Sequence, residues 1–103
     1  MSPTPAAESL ELAAAALERQ DWTRGVSLLV ALLDRIDGQQ AWIVEATARG
    51  LLAQALHEMG QPEDGFAQAK AALAAAENTD ERSLIHRCMA LVETFHVLNR
   101  DRL

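Results

Sequence analysis

Apolar residues recur in alternating steps of four and three along two long segments of this sequence. They are Trp22, Val26, Leu29, Leu33 and Ile36 in the first segment, and Leu84, Cys88, Leu91, Phe95 and Leu98 in the second. An α-helix has about 3.6 residues per turn, so this spacing places each set on one face of a helix. We therefore expect both segments to be helices that bury those faces against neighbouring helices.

The rest of the chain also favours helices. Hydrophobic residues make up 50% of the sequence but aromatic residues only 4%, so Leu and Ala must fill most of the core. Both are strong helix formers, and the β-branched residues that favour sheets are scarce. Turn signals at Gly38, Gly60 and Asn78 divide the apolar segments. The sequence predicts an all-α fold of about five helices, at about 5–19, 22–37, 40–59, 62–77 and 80–99.

Charge and composition exclude several classes of partner and location. The net charge of −6 disfavours binding to nucleic acid, which requires clustered Lys and Arg against phosphates. The longest aliphatic run, 28–33, is too short to span a bilayer, and residues 1–8 hold no basic segment of a signal peptide. The single cysteine cannot form an internal disulfide. We expect a cytoplasmic protein that binds neither nucleic acid nor membrane.

The residues that could carry chemistry do not form a recognisable catalytic or metal pattern. His86 and His96 are ten residues apart, whereas a helical zinc site needs ligands three or four apart. Cys88 belongs to an apolar helical face, where a thiol is inert. Glu63 and Asp64 stand at an expected helix start, where they complement the helix dipole. We expect no enzyme activity, no metal and no cofactor.

A repeat is visible between two stretches that align without gaps. Residues 17–25 (LERQDWTRG) and 57–65 (HEMGQPEDG) each end one helix, make a short turn and begin the next helix. Both stretches finish with a glycine one turn into the new helix, where a small residue lets paired helices cross closely. The offset between the two copies is forty residues. A self-similar period of this length is typical of helical repeat proteins.

This pattern resembles the tetratricopeptide repeat. The family places small residues where two paired helices cross and often has Gly in the turn. The matching positions are Ala53, Gly60, Gly65 and Ala72 in the second copy, and less closely Ala13, Gly25 and Leu32 in the first. The offset exceeds the family's usual period of about thirty-four residues, so the resemblance implies a long-repeat variant.

The resemblance covers nearly the whole chain and implies one domain over residues 1–103. Antiparallel hairpins at about 5–38 and 40–78 would stack into a short superhelix of about two and a half repeats. Helix 5, at about 80–99, would cap the stack and can be laid over helix 3. Its apolar residues 91, 92 and 95 then fall on residues 52, 53 and 56. An unrelated bundle of four or five helices is the alternative.

In this family, the first helix of each pair lines a concave groove that binds a peptide or helix of a partner protein. Carried onto this sequence, the lining residues are Leu10, Glu11, Ala14, Leu17, Thr47, Gly50, Leu51, Gln54, His57, His86, Met89, Glu93 and His96. The mixture of Leu, Met, Gln and His suits a partly apolar ligand. The basic clamp by which some members grip a terminal carboxylate is absent from these positions. The alternative interpretation is that these residues form a polar face exposed to solvent, with no binding role.

Three functions remain open from the sequence. The first is a non-enzymatic adaptor or scaffold that binds another protein in this groove. The second is a small bacterial secretion chaperone, which rests on analogy with other short tetratricopeptide proteins. The third is a homodimer or larger homo-oligomer, since the apolar stripes on helices 2 and 5 are wide. Trp22 and Trp42 fit either a core position or an exposed interface anchor.

Overall fold

The computed structural model describes residues 4–100, and five α-helices follow one another in that range. They are α1 (Pro5–Glu18), α2 (Trp22–Ile36), α3 (Trp42–Glu58), α4 (Pro62–Ala76) and α5 (Arg82–Arg100). Each helix packs against the next, and α3 also contacts α1 and α5. The prediction of an all-α stack of about five helices is confirmed. None of the helices in residues 4–100 has the length and apolar character of a membrane span.

The helix starts follow from side chains that satisfy free backbone N–H groups. The Thr4 hydroxyl accepts a hydrogen bond from the Ala7 N–H at 3.1 Å, and the Asp21 carboxylate accepts one from the Arg24 N–H at 3.3 Å. The α4 helix begins with Pro62, whose missing N–H costs nothing in a first turn. These caps and the proline are readable in the sequence, so the helix boundaries lie close to the predicted ones.

The loops within the two helix pairs are copies of each other at an offset of forty residues. After α1, the N–H of Asp21 donates to the carbonyl of Ala16 at 2.9 Å. After α3, the N–H of Gln61 donates to the carbonyl of Leu56 at the same distance. The starts of α2 and α4, and those of α3 and α5, are also forty residues apart. The sequence repeat therefore corresponds to a repeat of backbone structure.

Glycines lie where the helices of each pair cross. A Cβ atom on Gly65 would lie 2.9 Å from the Ala53 carbonyl oxygen, closer than such atoms approach in proteins. A Cβ atom on Gly25 would overlap the Leu17 side chain and lie 3.7 Å from the Ala13 carbonyl oxygen. The two crossings thus use equivalent residues of the two repeats. At Gly65 the absence of a side chain lets α4 approach the backbone of α3, and at Gly25 it leaves room for the Leu17 side chain.

The central helix α3 contributes to all three buried clusters of the core. Its Ala48 and Leu52 are buried with residues of α1 and α2, while its Ala46 and Ala53 are buried with residues of α4 and α5. Because the pairs are antiparallel, α1, α3 and α5 run in the same direction. Their exposed sides form one face of the molecule, and this face contains the candidate site.

Candidate protein-binding groove

Two depressions lie side by side on the face formed by α1, α3 and α5. One, of about 170 Å³, lies between α3 and α5, and the other, of about 380 Å³, lies between α1 and α3. Leu51 and Gln54 of α3 line both depressions. The two depressions are thus adjacent across three helices, with Leu51 between them, and we treat them as two halves of one groove. We call it the α1–α3–α5 groove.

The groove contains six of the residues predicted to line it. These are Ala14 and Leu17 on α1, and Thr47, Gly50, Leu51 and Gln54 on α3. Leu10, also predicted for this face, packs against the core of α1, α2 and α3, and Glu11 is exposed beside it. The α1 and α3 part of the prediction therefore coincides largely with a real depression, whose binding role stays a prediction.

The α5 residues that line the groove differ from the predicted set. Arg87 and Leu91 line it, and they lie forty residues after Thr47 and Leu51. The sequence alignment placed α5 over α3 with an offset of thirty-nine residues. A shift of one residue turns a helical position by about 100°, which moves the predicted residues to other sides of α5.

The four predicted α5 residues are spread over the outer sides of that helix. Met89 has 52% of its surface exposed, and His86 is also exposed. Glu93 lines a separate depression with Val97 and other α5 residues. The His96 ring lies 6.1 Å from the Phe66 ring of α4, on the side of α5 away from the groove. The structure does not bring these four residues into the groove.

His57 packs against the core rather than lining the groove. Its ring meets the Phe95 ring edge to face, with 5.4 Å between the ring centroids. Its Nδ1 atom is buried and makes no hydrogen bond within residues 4–100. The three histidines therefore do not gather on one face. In this part of the chain, no three His, Cys, Asp or Glu side chains come together as metal ligands would.

Further lining residues were missed by the sequence prediction. Arg87 and Leu91 follow from extending the forty-residue offset of the loop repeat to α5. Glu18 and Glu58, which are equivalent residues of α1 and α3, line the α1–α3 depression. The forty-residue offset was therefore the signal that would have found Arg87 and Leu91.

The two tryptophans have different positions relative to the groove. Trp22, at the start of α2, is half-buried and lines the α1–α3 depression. Trp42, at the start of α3, packs against the buried cluster that contains Ala46, Leu84 and Cys88. Trp22 is thus the tryptophan that a ligand in the groove would touch.

Cys88 lies at the base of the α3–α5 depression and is a buried free thiol. Burial raises the pKa of the Cys88 thiol, and the positive charge of the neighbouring Arg87 partly opposes that rise. A thiol that stays protonated is a poor nucleophile, because the thiolate is the reactive species. Cys88 therefore serves here as a small apolar residue of the groove base.

Comparisons with protein-family models, with curated proteins and with solved structures find no match to this chain.

Proposed function

We propose that this protein is a non-enzymatic interaction module of the tetratricopeptide type with long repeats. It binds a peptide or helix of a partner protein in the α1–α3–α5 groove. The observation that carries this proposal is the groove itself, which crosses three parallel helices and has Leu51 at its centre.

The repeat supports the family assignment within this proposal. Loops with the same hydrogen bonds and glycines at the same crossings recur after forty residues. Parallel first helices that lie side by side are the arrangement by which helical repeat proteins form an extended binding surface. Here α1, α3 and α5 are those helices, so the groove lies where such a protein would hold its ligand.

The lining of the groove supports a ligand with an apolar residue. Leu17, Leu51, Leu91 and the half-buried Trp22 leave apolar surface facing solvent in the depressions. Burying that surface under a ligand side chain is favourable at about 25 cal/mol per Å². Segments that dock in such grooves do so chiefly through a few apolar anchors.

Selection of random twelve-residue peptides displayed on phage tests the proposal. We expect the native protein to enrich peptides that fail to bind Leu51→Glu, because a carboxylate at the centre of the groove would be desolvated by an apolar ligand. Met89→Glu is the matched control, since Met89 lies on α5 outside the groove and is exposed. It should retain the same peptides.

Circular dichroism must show that Leu51→Glu keeps its helices, since Leu51 also packs against the core of α1–α3. If no peptide is enriched, or if the enriched peptides bind the folded Leu51→Glu variant equally well, the proposed groove function fails.

Self-association is a second candidate function, favoured by the outer side of α5. Val97 and Leu98 are exposed there by 42% and 39% of their surfaces and line one depression with Ala90 and Thr94. Neighbouring exposed apolar residues often mark an interface. If this side joins two copies, sedimentation equilibrium of the native protein should show a dimer that Val97→Glu converts to a monomer. A native monomer at high micromolar concentration would contradict it.

A further inference from the structure

The two halves of the groove carry opposite charge. Arg87 is the charged residue that lines the α3–α5 depression. Glu18 and Glu58 line the α1–α3 depression, and no basic residue lines it. All three side chains are exposed at the rim. The apolar Leu51 separates the positive half from the negative half.

These three side chains form no ion pair with other residues of the described chain. The ion pair found within residues 4–100 joins Arg49 to Glu45, and both are outside the groove. No side-chain hydrogen bond occupies Arg87, Glu18 or Glu58 in that range. They are therefore available to groups of a ligand.

We propose that the ligand is a segment of a partner protein with opposite charges at its two ends; this rests on the proposed function. An acidic residue of the segment pairs with Arg87, a bulky apolar residue covers Leu51, and a basic residue lies between Glu18 and Glu58. A segment of uniform charge would meet repulsion in one half of the groove. The groove thus selects by charge order as well as by apolar content.

The positions of the three charges across and along the helices set the spacing of the two charges in the ligand. Arg87 is equivalent to Thr47 of α3, which precedes Glu58 by eleven residues, or about 16 Å of helix. Packed helices lie about 8–10 Å apart, so the point midway between Glu18 and Glu58 is roughly 12–15 Å from α5 across the helices. The two offsets together give about 20–22 Å, which an extended segment spans with about six or seven residues and a helical segment with about thirteen to fifteen.

The sequences of the phage-displayed peptides test this inference. Among peptides that require Leu51, we expect an acidic and a basic residue on opposite sides of a bulky apolar residue, at one of these two spacings. Peptides selected on the Arg87→Glu variant should carry Lys or Arg in place of the acidic residue. Peptides selected on the Glu18→Lys, Glu58→Lys double variant should carry Asp or Glu in place of the basic residue.

A synthetic peptide from the native selection gives the quantitative test by isothermal titration calorimetry. Arg87→Glu should weaken its binding by about three- to tenfold, the range expected for reversing one partner of an exposed ion pair. A peptide in which Lys replaces the acidic residue should bind the Arg87→Glu variant with the affinity of the native pair. Arg82→Glu and Glu8→Lys are controls that make the same charge changes on α5 and α1 outside the groove lining, and they should leave binding unchanged.

The outcomes separate the two proposals. Leu51-dependent peptides without the charge order, or equal effects of Arg87→Glu and Arg82→Glu, would overturn the charge-order inference and leave the groove function standing. Absence of any Leu51-dependent peptide would overturn both. Peptides whose charges follow the reversals at Arg87, Glu18 and Glu58 would support the inference.

Discussion

Replacement of Phe95 by Ala is expected to lower the free energy of unfolding by about 3–5 kcal/mol, the usual cost of removing a buried aromatic ring. Only 3% of the Phe95 surface is exposed, and the residue is buried with Ala53 of α3 and Ala69 of α4. Its ring also meets the edge of His57. Small neighbours cannot expand to fill the space, so the substitution leaves a cavity where α5 docks on the α3–α4 pair.

Urea denaturation followed by circular dichroism measures this loss, with Val97→Ala as the control. Val97 is on the same helix but 42% exposed, so its truncation should change stability by at most about 0.5 kcal/mol. In the Phe95→Ala variant, amide hydrogen exchange should be faster in α5 than in α2. In a stack of helix pairs each pair is held mainly by its neighbours, so the loss should be concentrated at the substituted helix. Similar losses from the two substitutions would contradict the assignment of Phe95 as the anchor of α5.

Two Gly→Ala substitutions are expected to change stability in opposite directions. Gly65→Ala should destabilise the protein by about 1–3 kcal/mol, the typical cost of overpacking. The new Cβ would lie 2.9 Å from the Ala53 carbonyl oxygen and 3.2 Å from Cε1 of Phe95. A backbone atom cannot move aside without shifting α3 relative to α4, so the helix crossing itself must open.

Gly50→Ala is the matched control for this change. Its Cβ would meet Leu91 at 3.7 Å, an ordinary van der Waals distance. Ala also favours a helix interior over Gly by about 0.5–1 kcal/mol, so this substitution should stabilise the protein. The measurement is the midpoint of urea denaturation of each variant, compared with that of the native protein. A stabilised Gly65→Ala variant would show that the crossing does not require a glycine.

Local chemistry in the sequence determined the helices and the positions of the crossings. Thr4, Asp21 and Pro62 mark helix starts by satisfying or removing free N–H groups, and the structure confirms them. The glycines of the aligned stretches 17–25 and 57–65 lie at equivalent crossings. These features depend on nearby residues and on side-chain size, which are fixed wherever the helix packs. Six of the groove residues on α1 and α3 followed from the resemblance to the tetratricopeptide repeat.

Tertiary structure decided how α5 is rotated about its own axis. Offsets of thirty-nine and forty residues both match apolar residues of α5 to apolar residues of α3, so hydrophobic periodicity cannot choose between them. At an offset of forty, Glu93 takes the place of Ala53, which meets Gly65 at a crossing. No helix follows α5 within residues 4–100, so that position faces outward and accepts a charge.

The sequence by itself therefore determined which residues share a face of each helix, because that depends only on the helical period. It did not determine which face of α5 meets α3 and α4, because several faces of that helix carry apolar residues. Docking of Phe95 beside the α3–α4 crossing settled the choice. The same rotation brought Arg87 into the groove and left His86, Met89, Glu93 and His96 outside it. The charge order of the groove is thus a property of helix packing, which local sequence rules do not specify.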